Sequence, residues 1–197
     1  MRKLFYSLLG ILSLSVIGCT NENKEYVFKG TTSQTRLEGQ KVYLVPYGSP
    51  QLEDSLGVDS VVIRDGKFEF RGNKGVFLAR ITIDIKHRYG TQDLLVVTEP
   101  GEISIVIDSI SSSGGTPQND LLQSWKEMKT DYDRVAWNQS QHIKYLREQG
   151  DTAYATSLTD SLEQFNKHYL DRVHGLMRMV GSGPAYDFLH DRYGNPD

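Results

Sequence analysis

Between residues 26 and 108 apolar and polar positions alternate with a period of two, the pattern of strands that bury one face. Residues 67–71 read K-F-E-F-R and 81–85 read I-T-I-D-I. Asp65 and Gly66 separate two such runs. A two-residue type I′ turn needs positive φ at both central positions, so this pair predicts a hairpin of 58–64 with 67–71. Pro100 and Gly101 fit the centre of a type II turn, with proline presetting φ and glycine in the left-handed slot. That predicts a second hairpin, 93–99 with 102–108. With 26–32, 41–47 and 76–85 added, about seven short strands follow one another without an intervening helix. The expected β-rich part, 26–110, is an antiparallel β-sandwich or a partly open barrel.

The segment S-S-S-G-G at 111–115 reads as a separator, after which the apolar period lengthens to that of a helix. Thr116 suits an N-cap, Pro117 the first helical position and Asp120 the positive end of the helix dipole. Leu121, Leu122, Trp125, Met128, Tyr132 and Val135 then form one stripe of a helix expected to reach Gln149. Leu158, Leu162, Phe165, Tyr169, Leu176 and Val180 form the stripe of a second, stopped by 181–184, and a short third helix fits 185–193. The two stripes close as an α-helical hairpin, so 116–193 is read as hairpin plus C-terminal segment. Trp137, Tyr145, Leu146, Leu170, Val173, Met177, Met179, Phe188 and Leu189 fall off the stripes. Large contiguous apolar patches are unusual on soluble monomers. The face carrying Trp137 and Met177 is therefore expected to bind another protein or a second copy.

Residues 1–18 have the parts of a secretion signal: the cations Arg2 and Lys3, an apolar run over 4–17, and small residues before a cut site. The run is short of the roughly 20 residues that span a bilayer core. Val16, Ile17, Gly18 and Cys19 match the lipobox of bacterial lipoproteins, which predicts cleavage before Cys19 and lipid on its thiol. Cys19 is the single cysteine, so no internal disulfide competes for it. More than one acyl chain is needed for stable anchoring, and a triacylated N-terminus meets that need. Residues 19–25 read as the lipidated, polar tether between membrane and domain. Thr20 is not the aspartate that retains lipoproteins at an inner membrane, so the expected site is the outer membrane, facing periplasm or exterior.

The net charge is −3, and loss of Arg2 and Lys3 takes it to −5. No clustered basic surface is visible, so no nucleic-acid partner is expected.

Three strings, 59–72 (D-S-V-V-I-R-D-G-K-F-E-F-R-G), 99–103 (E-P-G-E-I) and 115–122 (G-T-P-Q-N-D-L-L), resemble the β-rich N-terminal domain of Bacteroidota lipoproteins known as domain of unknown function 4369. In that family the domain precedes a helical linker and a thioredoxin-like domain of the thiol-disulfide oxidoreductase type. The resemblance covers 26 to about 125. The C-x-x-C pair of the thioredoxin-like domain has no counterpart here, and the chain is expected to stop where that domain would begin.

Other candidate chemistry is sparse. No G-x-S-x-G elbow is present, and 181–184 (G-S-G-P) lacks the preceding strand of a phosphate loop. His168 and His174 lie six positions apart, the wrong spacing to share a helix face, and His87, His142 and His190 stand alone. Tyr43, Tyr47, Tyr89 and Tyr132 are candidates for a sugar-binding face, although half-buried strand and helix positions also account for them. The expected inventory has no catalytic residue, no metal ligand and no cofactor. The leading reading is a lipid-anchored, non-catalytic binding or assembly module. The alternative is a truncated or split thiol-disulfide oxidoreductase.

Overall fold

The computed structural model describes residues 25–48, 55–84, 86 and 89–196. Among them eight strands form two four-stranded sheets, and three helices follow. The strands are β1 (Tyr26–Thr31), β2 (Lys41–Pro46), β3 (Asp59–Val62), β4 (Lys67–Gly72), β5 (Leu78–Ile83), β6 (Leu94–Val97), β7 (Gly101–Val106) and β8 (Ser112–Gly114). The helices are α1 (Pro117–Glu148), α2 (Thr152–Val180) and α3 (Pro184–Tyr193). One sheet has the order β4-β1-β7-β8 and the other β3-β2-β5-β6.

Alternation decides which side chains meet between the sheets. Phe28, Phe68, Phe70, Ile103 and Ile105 from one sheet face Val42, Leu44, Ile81, Ile83 and Val96 from the other in a single buried cluster. Each such side chain contributes roughly 1.5–3 kcal/mol through its removal from water. Two glycines of the β1–β4 ladder lie opposite aromatic residues, Gly30 opposite Phe68 and Gly72 opposite Tyr26. A Cβ at either glycine would fall inside the facing ring or against its hydroxyl. The rings lie flat on backbone here, and burial pushes the Tyr26 phenol above its ordinary range.

The predicted Asp65–Gly66 turn is present, whereas Pro100 is a bend that leads directly into β7 at Gly101, and neither joins strands of one sheet. Asp65 and Gly66 have φ of 52° and 67°. Arg64 and Lys67 exchange N–H···O bonds of 2.9 and 3.0 Å, and the Glu38 carboxylate accepts the N–H groups of both turn residues. The ladder ends at that one bridge, after which β3 joins β2 and β4 joins β1. Splaying puts Ile63 and Phe68 into the core between the sheets rather than side by side on one face. The predicted second hairpin also separates: β6 pairs with β5, while β7 crosses to the other sheet. Gly101, at φ 128°, donates its N–H to the Glu25 carbonyl and starts a parallel ladder between β7 and β1. The sandwich is therefore mixed and not wholly antiparallel. The separator is also part of the fold, since 112–114 pairs with β7 as β8. Edge pairing needs only backbone groups, which serine and glycine supply.

Thr116 has the extended backbone of an N-cap, yet its hydroxyl accepts from Asn119 Nδ2 at 2.9 Å and caps nothing. The Glu99 carboxylate takes over that task, accepting the N–H groups of Gln118 and Asn119 at 2.7 and 3.2 Å. Asp151 caps α2 through the Tyr154 N–H, and Gly181 ends it.

The helices cover the outer face of the β6-containing sheet. Leu78 and Val97 pack with Leu122 and Trp125 of α1, Tyr169, Val173 and Met177 of α2, and Phe188 and Leu189 of α3. Met177, expected on an exposed face, is fully buried at 0% exposure. Its position explains this: Tyr169, Val173 and Met177 recur every four residues and form the inward stripe, which α3 folds back to cover. Leu146, Val173, Phe188 and Leu189 are buried as well, whereas Trp137, Tyr145 and Met179 stay exposed. A separate small cluster of Ile143, Leu146 and Ala155, backed by Leu158 and Leu162, holds residues of α1 and α2 only. From Tyr132 to Glu148, about 25 Å at 1.5 Å per residue, the hairpin is an arm packed on itself. Among the described residues no helix is long and apolar enough to cross a membrane.

Candidate functional site at the sheet edges under α1

A sandwich leaves edge strands whose unpaired N–H and C=O groups need cover. Here β6 and β8 are edges, one in each sheet, and α1 lies against both. Asn119, completely buried, accepts the Val97 N–H on Oδ1 and donates Nδ2 to the Val97 carbonyl, each at 2.9 Å. One turn later Gln123 Oε1 accepts the Ser113 N–H of β8 at 3.1 Å. Their four-residue spacing places both amides on one helix face. A third amide, Gln118, ties α1 to α3 by donating to the Ser182 carbonyl and accepting the Ala185 N–H.

Below Val97 the cover is incomplete. Bonding direction alternates along a strand, so the Leu95 N–H and C=O point to the same open side as those of Val97. The Gln92 carbonyl further down takes the Ser111 hydroxyl at 2.6 Å. Between these closed points neither backbone group of Leu95 has a hydrogen-bond partner among the described residues. A cleft of about 280 Å³ opens there, with Asp93, Leu94 and Leu95 on one side and Leu122, Trp125, Lys126 and Lys129 on the other.

The charges around this cleft are unequal. Lys129 is paired with Asp133, and Asp93 accepts from Thr82 at 2.7 Å and lies 3.9 Å from Arg80. Lys126 is half-buried, donates to the Ser111 carbonyl and forms no ion pair among the described residues. Burial pushes its ammonium below the usual lysine range. Ser113, 7% exposed, also borders the cleft, and its hydroxyl has no hydrogen-bond partner among the described residues.

The site residues predicted from sequence lie elsewhere. Cys19, the predicted lipidation point, is outside the described residues, as is His87. Trp137 is 66% exposed on the arm while Met177 is buried, so the two share no surface. His142 meets Tyr154 edge-on, His174 Nε2 lies 3.1 Å from the Tyr193 carbonyl, and His190 stacks on Tyr186. Among the described residues no three His, Cys, Asp or Glu side chains come together as a metal site would require. Tyr132 stacks on Phe165 and Tyr169, Tyr47 packs edge-on against Phe188, and Tyr89 is exposed, so no common sugar face results. Asn119, Gln123 and Lys126 were missed. Their spacing of four and then three is the available signal, a polar stripe beside an apolar one on α1.

No curated protein and no solved structure shows significant similarity to this chain. The family described as a domain of unknown function (DUF4369) matches residues 26–122, from the first residue of β1 through the first turns of α1. The match takes in both Val97 and Asn119, so the helix start that closes the sheet edge lies within it. The β-rich part of this chain, residues 26–122, belongs to the DUF4369 family.

Proposed function

We propose that the chain is a non-catalytic binding or assembly module, held at the cell envelope by lipid on Cys19, that engages a partner protein with the outer face of its helical arm. The observation that carries this reading is Trp137, exposed on a part of α1 that packs, among the described residues, against α2. A tryptophan left in water there stabilises nothing in the isolated fold, and such residues are enriched at protein interfaces. Arg134, Trp137, Gln141 and Lys144 recur at helical spacing along one face of α1. A second copy laid antiparallel on this stripe would set cation against cation, so a different chain with an acidic rim fits better than self-association.

The lipobox sequence supports the tether, and the outer membrane remains its proposed location. Two experiments test the reading. Cys19→Ala should move the protein from the membrane fraction to the soluble fraction. Trp137→Ala should dissociate the native complex extracted in mild detergent without changing the fold. An anchored Cys19→Ala variant, or a complex indifferent to Trp137→Ala, contradicts the proposal.

A further inference from the structure

The gap at Leu95 lies on the β-domain, away from Trp137, and the inference drawn from it does not depend on the arm. Three features meet there. The Leu95 N–H and C=O point outward from the edge strand and are unpaired among the described residues. An ammonium, that of Lys126, enters the same cleft without an ion-pair partner among the described residues. Trp125 and Leu122 line the wall opposite. Beside them Ser113 keeps a buried hydroxyl that no other group among the described residues satisfies.

We propose that this cleft binds the carboxy-terminal end of a peptide, with its last residue added to β6 opposite Leu95. In an antiparallel pair two facing residues can exchange both backbone hydrogen bonds. The last residue of the incoming chain donates its N–H to the Leu95 carbonyl, and its carboxylate accepts from the Leu95 N–H and from Lys126 Nζ. This is strand addition limited to one residue, because an antiparallel chain ending at Leu95 extends back toward Val97, where the Asn119 amide already occupies the edge. The cleft volume of about 280 Å³ is just below the smallest ordinary ligand pockets, roughly 300 Å³. An apolar side chain on the last residue fits against Trp125 and Leu122.

The chemistry favours a chain end over the other candidates. The backbone of an internal peptide segment, unlike a chain end, has no charge to offer Lys126 beside Leu95. A free amino acid would bring its own ammonium beside Lys126, and inorganic anions would leave the Leu95 carbonyl unpaired.

The test is calorimetric titration of the full chain in detergent with N-acetyl-Ala-Leu, its carboxamide, and the form methylated at the Leu nitrogen. The free acid should bind at least about tenfold more tightly than either derivative, and the Leu95 amide resonance should shift on its addition. Both comparisons leave the protein unaltered, so they do not depend on any variant folding. Lys126→Gln should lower the affinity for the acid by about tenfold and leave the carboxamide unchanged. Equal binding of acid and carboxamide overturns the proposal, as does no binding at roughly 10 mM ligand or a shift confined to another face.

Discussion

Asn119 exchanges two hydrogen bonds with the backbone of Val97, both 2.9 Å, and so does with one side chain what a further strand would do. Asn119→Leu keeps the approximate volume but leaves the Val97 N–H and C=O buried without partners. Each unsatisfied group costs about 1–3 kcal/mol. We expect urea denaturation to show a loss of roughly 2–4 kcal/mol with the slope unchanged. Asn119→Asp should also destabilise, because it removes the donor and sets a second carboxylate beside Glu99. An Asn119→Leu variant as stable as the parent chain would show that the edge finds other cover.

The sequence made the Asp65–Gly66 turn legible but not the strand partnerships around it. Asp65 and Gly66 adopt the positive φ values the dipeptide calls for, because that requirement is local. The departure of β3 and β4 into different sheets is not local: it follows from Ile63 and Phe68 meeting across a core built by all the other strands. The β1–β7 pairing and the edge strand β8 are likewise long-range outcomes. Helices α1, α2 and α3 fall close to where periodicity places them, yet the direction of the α2 stripe depends on where α3 folds. That dependence is why Met177 was misplaced. The cleft was not legible at all, since it rests on backbone groups of Leu95 that every residue possesses.

Met177 and Trp137 should respond to truncation in opposite ways. Met177→Ala removes a completely buried side chain from the cluster joining α2, α3 and β6, and large-to-small changes of this kind cost about 2–5 kcal/mol. Trp137→Ala touches an exposed position, where substitutions stay within about 0.5 kcal/mol. Thermal unfolding of the two single variants separates the structural residue from the surface one. A larger loss for Trp137→Ala would mean that the arm owes its stability to that ring.

Asp108 predicts an acid-side dependence. Its carboxylate accepts from the Ser33 hydroxyl, from Gln34 Nε2 at 2.8 Å and from the Ser109 N–H at 3.1 Å. These bonds, Ser33 first, hold its pKa below the usual carboxylate value in the folded chain. The folded form therefore binds this proton less readily than the unfolded form. The stabilisation is fully present above the unfolded value near 3.8 and is lost as pH falls through the lower folded value. The Tm advantage of the parent chain over Asp108→Asn should be constant from about pH 5 upward and shrink below about pH 4. A gap that stays the same down to roughly pH 2 would remove Asp108 from the acid response.

The parallel ladder between β1 and β7 also sets an order of events during folding. Tyr26 and Gly101 are register partners about 75 positions apart, so β1 waits for most of the β-domain before it gains its second neighbour. Closing so long a loop takes its entropic toll before the contacts compensate, and folds rich in such contacts form slowly. A nascent chain ending before β7 offers β1 only β4, leaving Ile81 of the opposite sheet without half of the sheet that would cover it. The N-terminal strand is thus first to be synthesised and among the last to be locked.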